Sequence, residues 1–299
     1  MELFYAITSK RRGCGRSTLA LLSAMNVFNK SKGSTLLVDL GSNNDFCSIL
    51  NVKTKASIDN LISAISLQLG TLDLESNILH TGSFYLLPGT AIKQPRYLEK
   101  RCNDVVHVLK ELETKFNNII LDVDYTLYGD LVDCGLEITP IHVLEQNMLN
   151  VEGYQKDIQT QIFEGYYVIN RYEDGVFPPL DLFHKNFKRN SIICVKRDNS
   201  LKSSMNKKSL SIGSLKGSPM FSGVDQITDV ILNNSNVIEK EFVSSNEKPV
   251  KGSFLSKLFG GKKNKGTSPS KKPQQPNRAA SKSTKRVNQK GRPRKKGEN

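Results

Sequence analysis

The sequence predicts an α/β fold: a mostly parallel β-sheet flanked by helices on both faces, followed by a disordered basic C-terminal tail. Three observations predict it. Apolar strand-like runs alternate with helical patterns along residues 1–245. One strand–helix junction, residues 9–20, "SKRRGCGRSTLA", has the layout of a phosphate-binding loop. The charge is also divided unevenly. Of 43 Lys and Arg and 29 Asp and Glu, residues 248–299 hold 17 basic side chains and a single acid, Glu298. That leaves 26 basic and 28 acidic residues in 1–247, a near-neutral body.

The strand-like runs are 3–8 "LFYAIT", 34–40 "STLLVDL", 83–89 "SFYLLPG", 117–124 "NNIILDVD", 138–145 "ITPIHVLE", 165–170 "GYYVIN" and 191–198 "SIICVKRD". Several are apolar without alternation, the pattern of parallel strands buried on both faces. Helical periodicity covers 17–30, 57–69, 95–116, 147–163 and 224–241. In the third of these Leu98, Val105, Val106, Leu109 and Leu112 mark one face. Strands alternating with helices predict a parallel sheet with right-handed crossovers. A domain of about 240 residues buries roughly 70–75% of its unfolded surface and needs no covalent staples. The cysteines, Cys14, Cys47, Cys102, Cys134 and Cys194, are odd in number and widely spaced, which suits reduced thiols and gives no zinc spacing. No apolar run approaches the ~20 residues that span a bilayer. The N-terminus begins a strand rather than a basic-then-apolar segment, so the expectation is a chain that is not exported. His80, His142 and His184 show no ligand spacing and read as structural.

The usual phosphate-loop pattern is G-x-x-x-x-G-K-[ST]. Here Lys10 stands at the first glycine and Arg16 at the lysine. The chemistry of such a loop is plain. Backbone N–H groups of a tight turn point at phosphate oxygens, and the following helix adds its positive end. Gly13 and Gly15 keep the backbone bare where it must approach. Taken alone, residues 9–18 also fit an ordinary basic strand–helix turn.

In order, these pieces resemble the ParA/MinD family of deviant-Walker ATPases over residues 1–245. "AITSKRRGCGRSTLALLSA" is similar to the family's T-S-G-K-G-G-x-G-K-T-T loop and helix, and "STLLVDLGSNND" to its V-D-x-D strand. "FNNIILDVD" resembles the Walker B strand, "VINRYED" the later [IV]-[IV]-N-R strand end, and "ICVKRDNS" the I-P-x-D segment before the last helix. The resemblance implies a P-loop NTPase fold, ATP or ADP with Mg²⁺ as cofactor, and a homodimer. It places Arg11, Gly13, Cys14, Gly15, Arg16, Ser17 and Thr18 at the phosphates and Asn170 at the base. Ser17, Asp39 and Asp122 stand at the magnesium positions. Arg11 takes the place of the lysine that reaches across the dimer, a role akin to an arginine finger. There are departures. Arg16 replaces the phosphate-bridging lysine with a bulkier, planar cation. Arg12 replaces a glycine, Cys14 fills a valine position, and Gly41 replaces the aspartate that orients the attacking water. No catalytic residue is therefore carried over, and hydrolysis is expected to be very slow or lost. A site of this kind also resembles the CpaE/TadZ branch.

The expected organisation is a P-loop domain over 1–245, a linker over 246–252, a short amphipathic helix over 253–261 and a basic tail over 262–299. In "KGSFLSKLFGG" Phe254, Leu255, Leu258 and Phe259 fall on one helical face beside lysines, the composition of an interfacial membrane anchor. The stretch resembles the C-terminal membrane-targeting helix of MinD. Docking on its own domain, or staying unfolded, is the other reading. The far tail, "KSTKRVNQKGRPRKKGEN", can contact nucleic acid without selectivity through counterion release. The expectation is a cytoplasmic protein, peripheral at the inner face of the cell membrane, that positions or assembles a protein machine on an anionic surface. The alternatives are a DNA-binding partition protein and a nucleotide-free scaffold of the same fold.

Overall fold

The computed structural model describes residues 4–31, 33–41, 45–94, 96–159, 165–187, 192–207 and 210–233. β1 (Phe4–Ser9), α1 (Arg16–Ser31) and β2 (Thr35–Leu40) come first. Helices α2 (Asp45–Ile49), α3 (Ile58–Ser66) and α4 (Leu74–Asn77) lead to β3 (Leu79–His80) and β4 (Tyr85–Leu87). Next are α5 (Tyr97–Lys100), α6 (Cys102–Glu113), β5 (Asn118–Asp124), α7 (Tyr125–Asp133) and β6 (Thr139–Glu145). Then come α8 (Met148–Gln159), β7 (Tyr166–Tyr172), α9 (Leu180–Asn186) and β8 (Ile192–Lys196). The last described elements are α10 (Asn199–Asn206), α11 (Ile212–Lys216) and α12 (Phe221–Asn233).

The eight strands form one sheet in the order β3-β4-β2-β5-β1-β6-β7-β8. Every neighbouring pair is parallel except β3 with β4. All seven strands expected from the apolar runs are present. β3 was not among them, because two residues paired back across a turn leave no periodic signal.

Side chains alternate across the sheet and feed two cores. Tyr5, Ile7, Leu37, Ile120 and Val143 pack with α1 and α12 on one face. Phe4, Ala6, Val38, Leu121 and Val123 pack with α3, α6 and α7 on the other. A third cluster, Leu144, Tyr154, Ile169 and Phe183 among others, lies under α8 and α9. Burial on both faces is why the strand sequences do not alternate. α1 and α12 are also joined by polar contacts. Fully buried Asn26 donates to Asp225 Oδ1 and Thr228 Oγ1, each at 2.9 Å, and Lys30 reaches Asp225 and Asp229 at 2.8 and 2.7 Å.

The helix expected over 95–116 is in fact two. Arg101 leaves the helical region (φ −114°, ψ 25°), and its guanidinium turns to Asp104 and to Ser66 of α3. The apolar face survives the break, since Leu98, Val105, Val106, Leu109 and Leu112 are all buried. α2, α4, α7, α9, α10 and α11 lie outside the expected helical stretches, being short elements that carry little periodic signal. The described residues belong to one unit, Met1–Lys248. The linker 246–252, the helix 253–261 with Phe254, Leu255, Leu258 and Phe259, and the tail 262–299 lie outside the described residues. Among the described residues no helix is long and apolar enough to cross a membrane.

Candidate functional site

β1 lies between β5 and β6, and the loop 10–15 leaves its C-terminal end to start α1. The crevice outside the carboxyl ends of strands, where the connections diverge, is where open parallel sheets bind ligands. Gly13 and Gly15 adopt left-handed backbone (φ 83° and 89°), which glycine alone enters cheaply. Gly15 has a second constraint, because a Cβ there would stand 2.2 Å from Asn170 Nδ2.

The loop is braced from below. The Ser9 hydroxyl accepts from the Arg11 N–H at 3.1 Å and the Cys14 S–H at 2.8 Å, and donates to the Arg11 carbonyl at 2.8 Å. Cys14 is buried, and burial pushes its thiol up despite the Ser9 contact. It is a packed neutral side chain rather than an exposed nucleophile. The Lys10 N–H donates to the Tyr154 hydroxyl at 3.0 Å, and its ammonium donates to the Gly153 carbonyl at 2.7 Å. That ammonium also lies 4.9 Å from the ring centres of Tyr125 and Tyr154, within cation–π range. Asn170 is buried; its Nδ2 donates to the Cys14 carbonyl at 2.7 Å and its Oδ1 accepts from the Arg171 N–H at 2.9 Å. Its amide holds the loop from across β6.

The acidic half of the site comes from register. Asp39 of β2 lies opposite Asp122 of β5, and Ser9 of β1 lies opposite Asp124. Arg16, the first residue of α1, donates from Nε to Asp122 Oδ1 at 2.5 Å and from Nη1 to Asp124 Oδ1. Asp122 is only 2% exposed and Arg16 14%. Burial works against the Arg16 charge, but Asp122 and Asp124 outweigh it and raise the guanidinium above its ordinary value. Burial pushes the Asp122 carboxyl up, while Arg16 and the Ser17 hydroxyl pull it back. The Gly41 N–H donates to Asp39 Oδ1 at 3.0 Å. A Cβ on Gly41 would stand 2.9 Å from Arg16 Nη2, 3.2 Å from Asp39 Oδ1 and 3.4 Å from Asp122 Oδ2. These four residues are one cluster.

Two cavities flank the loop. One, about 370 Å³, is bordered by Gly15, Thr18, Asn170, Arg171, Asp198 and Met220. The other, about 720 Å³, is bordered by Arg12, Gly41, Lys93, Arg96, Tyr97 and Asp124. The structure thus gathers the expected residues into two groups, Gly15, Thr18 and Asn170 at the first cavity and Arg16, Ser17, Asp39, Gly41 and Asp122 around the acidic cluster. Arg11, Arg12 and Gly13 are exposed on the loop crest. Sequence reasoning missed Asp124, Lys10 with its two tyrosines, and Asp198 as the N-cap of α10. The capping signal was present, since an Asp ahead of "NSLKSS" is a helix start.

The loop amides and the N-terminus of α1 can hold an anion. The carboxylates do not fit a magnesium ion as they stand. Oδ1 of Asp122 and Oδ1 of Asp124 already face the Arg16 guanidinium.

The central β1, the glycine turn at its end and the helix behind it define a P-loop NTPase fold. No protein-family model matches the sequence, and no curated protein matches it. Solved structures do match. A ParA family ATPase from Chlorobium tepidum TLS aligns with a TM-score of 0.61 at 15% identity, over 78% of this chain and 100% of its own. The septum site-determining protein MinD of Pyrococcus horikoshii OT3, complexed with Mg-ADP, aligns with a TM-score of 0.61 at 15% identity, over 78% and 97%. A plasmid partition protein from Borrelia burgdorferi aligns with a TM-score of 0.52 at 15% identity, over 69% and 94%. The structural neighbours are ParA/MinD ATPases, and at these identities the likeness is one of fold.

Proposed function

We propose that the chain is a nucleotide-binding positioning protein of the ParA/MinD kind that hydrolyses ATP very slowly or not at all. The observation that carries this reading is the left-handed Gly13–Gly15 turn at the end of the central strand, opening onto a cavity of about 370 Å³. That volume suits a base and ribose. ATP or ADP would lie with its phosphates on the amides of residues 11–18 and its base on the Asn170 side. Slow hydrolysis follows from Gly41, which offers no carboxylate to orient a water. Phe254, Leu255, Leu258 and Phe259 would grip an anionic membrane, and a homodimer would strengthen that grip by avidity. The protein so placed would position or assemble a machine at the division site, a pilus or a secretion apparatus.

The test is calorimetry of ATP and ADP against the full chain. Binding with a Kd of about 1 mM or tighter supports the proposal. No heat and no melting shift would leave a scaffold of the same fold. A DNA-binding partition role is favoured by one feature, the 17 basic residues of 248–299, and is distinguished by binding to duplex DNA rather than to anionic vesicles.

A further inference from the structure

We infer that the Arg16 guanidinium is the resident cation of this site, seated where a divalent metal would otherwise meet Asp122, and that Gly41 is the space that seats it. A carboxylate as buried as Asp122 needs a cation or a proton. Arg16 supplies the cation covalently. Its two donors span Asp122 and Asp124, the first at 2.5 Å.

Gly41 completes the arrangement. A side chain there would begin 2.9 Å from Arg16 Nη2, 3.2 Å from Asp39 Oδ1 and 3.4 Å from Asp122 Oδ2. A side chain at position 41 would press on a guanidinium already held by both carboxylates. The two departures from the family pattern, arginine at 16 and glycine at 41, are therefore one change made at two places. An aspartate at 41 belongs with a slimmer cation at 16. A guanidinium does not lose its charge at any accessible pH and is not removed by a chelator. The cation that meets Asp122 is then independent of magnesium. Its consequence, that nucleotide binds the loop equally well in EDTA, rests on the function proposed above; the seating of Arg16 does not.

Two experiments on the full chain test the seating without nucleotide. The first is Mn²⁺ titration followed by electron paramagnetic resonance. The wild type should leave the free Mn²⁺ signal unchanged. Arg16→Ala should gain one bound ion, and adding Asp122→Asn should remove it. A Mn²⁺ ion held by the wild type and released by Asp122→Asn overturns the inference, as does a folded Arg16→Ala that gains none. The second needs only melting curves. Gly41→Ala should lower Tm by several degrees in the wild type and by much less beside Arg16→Lys. Equal shifts in the two backgrounds overturn the pairing of 16 with 41.

Discussion

At the scale of single residues, Arg16 and Asp198 carry the sharpest expectations. Asp122 is 2% exposed, so removing Arg16 leaves a buried carboxylate without its cation. Losing one partner of such a pair costs about 3–5 kcal/mol. Arg16→Ala should lose at least the lower end of that range in urea unfolding, and Arg16→Lys distinctly less. Asp198 caps α10. Its Oδ1 accepts from the Ser200 and Leu201 N–H groups at 2.7 and 3.2 Å, and its Oδ2 accepts from the Ser218 hydroxyl at 2.5 Å. Slight burial pushes this carboxyl up, but hydrogen bonds from Ser218, Ser200 and Leu201 outweigh it and hold it below its ordinary value. A carboxylate with a lowered folded-state value stabilises above its unfolded value, about pH 4, and loses that contribution as pH falls through the folded one. Asp198→Ala should therefore cost about 1 kcal/mol at neutral pH. The gap between wild type and variant should shrink below about pH 4. Asp39, Asp122, Asn170 and the two loop glycines were legible in the sequence because they stand at motif positions. Asp124 was not singled out, although its spacing from Asp122 puts both on one face of a strand. No motif marks it, and its role depends on a guanidinium that the motif does not contain.

At the scale of elements, the loop and its two neighbours behave as a unit. Gly13 and Gly15 share left-handed backbone, but only Gly15 faces an obstacle, Asn170 Nδ2 at 2.2 Å from a would-be Cβ. Gly13→Ala should cost the backbone strain alone, roughly 1–2 kcal/mol. Gly15→Ala should cost that and a packing clash of roughly 1–3 kcal/mol more. In an Asn170→Ala background the clash is gone, and a double-mutant cycle in guanidinium should show the two glycine substitutions converging. Equal costs for both in the wild type would mean that Asn170 does not press on the loop. α1 and α12 offer a similar test. Asn26→Ala leaves Thr228 and Asp225 without a shared donor in a buried seam. It should destabilise by about 1–3 kcal/mol. The seven principal strands were readable, as were the five longer helical patterns where they fall on described residues, one of them as two helices, because long apolar runs and a 3.6-residue period outlast local noise. The break at Arg101 was not, and the contact Arg101 makes with Ser66 of α3 is one that no local pattern encodes. The short helices after β5, β7 and β8 follow from where the strands end and from single caps, signals of one or two residues each.

At the scale of the whole molecule, a near-neutral body carries a segment with 17 basic residues and one acid. Burying an aromatic or leucine side chain is worth about 1.5–3 kcal/mol when complete. Phe254, Leu255, Leu258 and Phe259 at a membrane interface would bury only part of that, so lysines and dimer avidity would decide the balance. Leu258→Glu should release the protein from anionic vesicles at any salt. Truncation after Gly266 should weaken binding modestly and flatten its salt dependence. Sedimentation that is unchanged by Leu258→Glu and abolished by the truncation would move DNA binding ahead of the membrane. The order of strands in the sheet is a whole-molecule property that no single segment states. The strand and helix patterns predict a mostly parallel sheet and no strand order. The central claim is that this P-loop fold cradles a nucleotide while Arg16, not a metal, serves Asp122. The measurement that tests it most directly is a crystal structure of the full chain grown with ADP and MnCl₂, with anomalous data at the manganese edge. The account predicts the diphosphate on the amides of residues 11–18, the base at Asn170, Arg16 still on Asp122 and no manganese peak there. A manganese peak at Asp122 with Arg16 displaced, or a loop without nucleotide at saturating ADP, would contradict it.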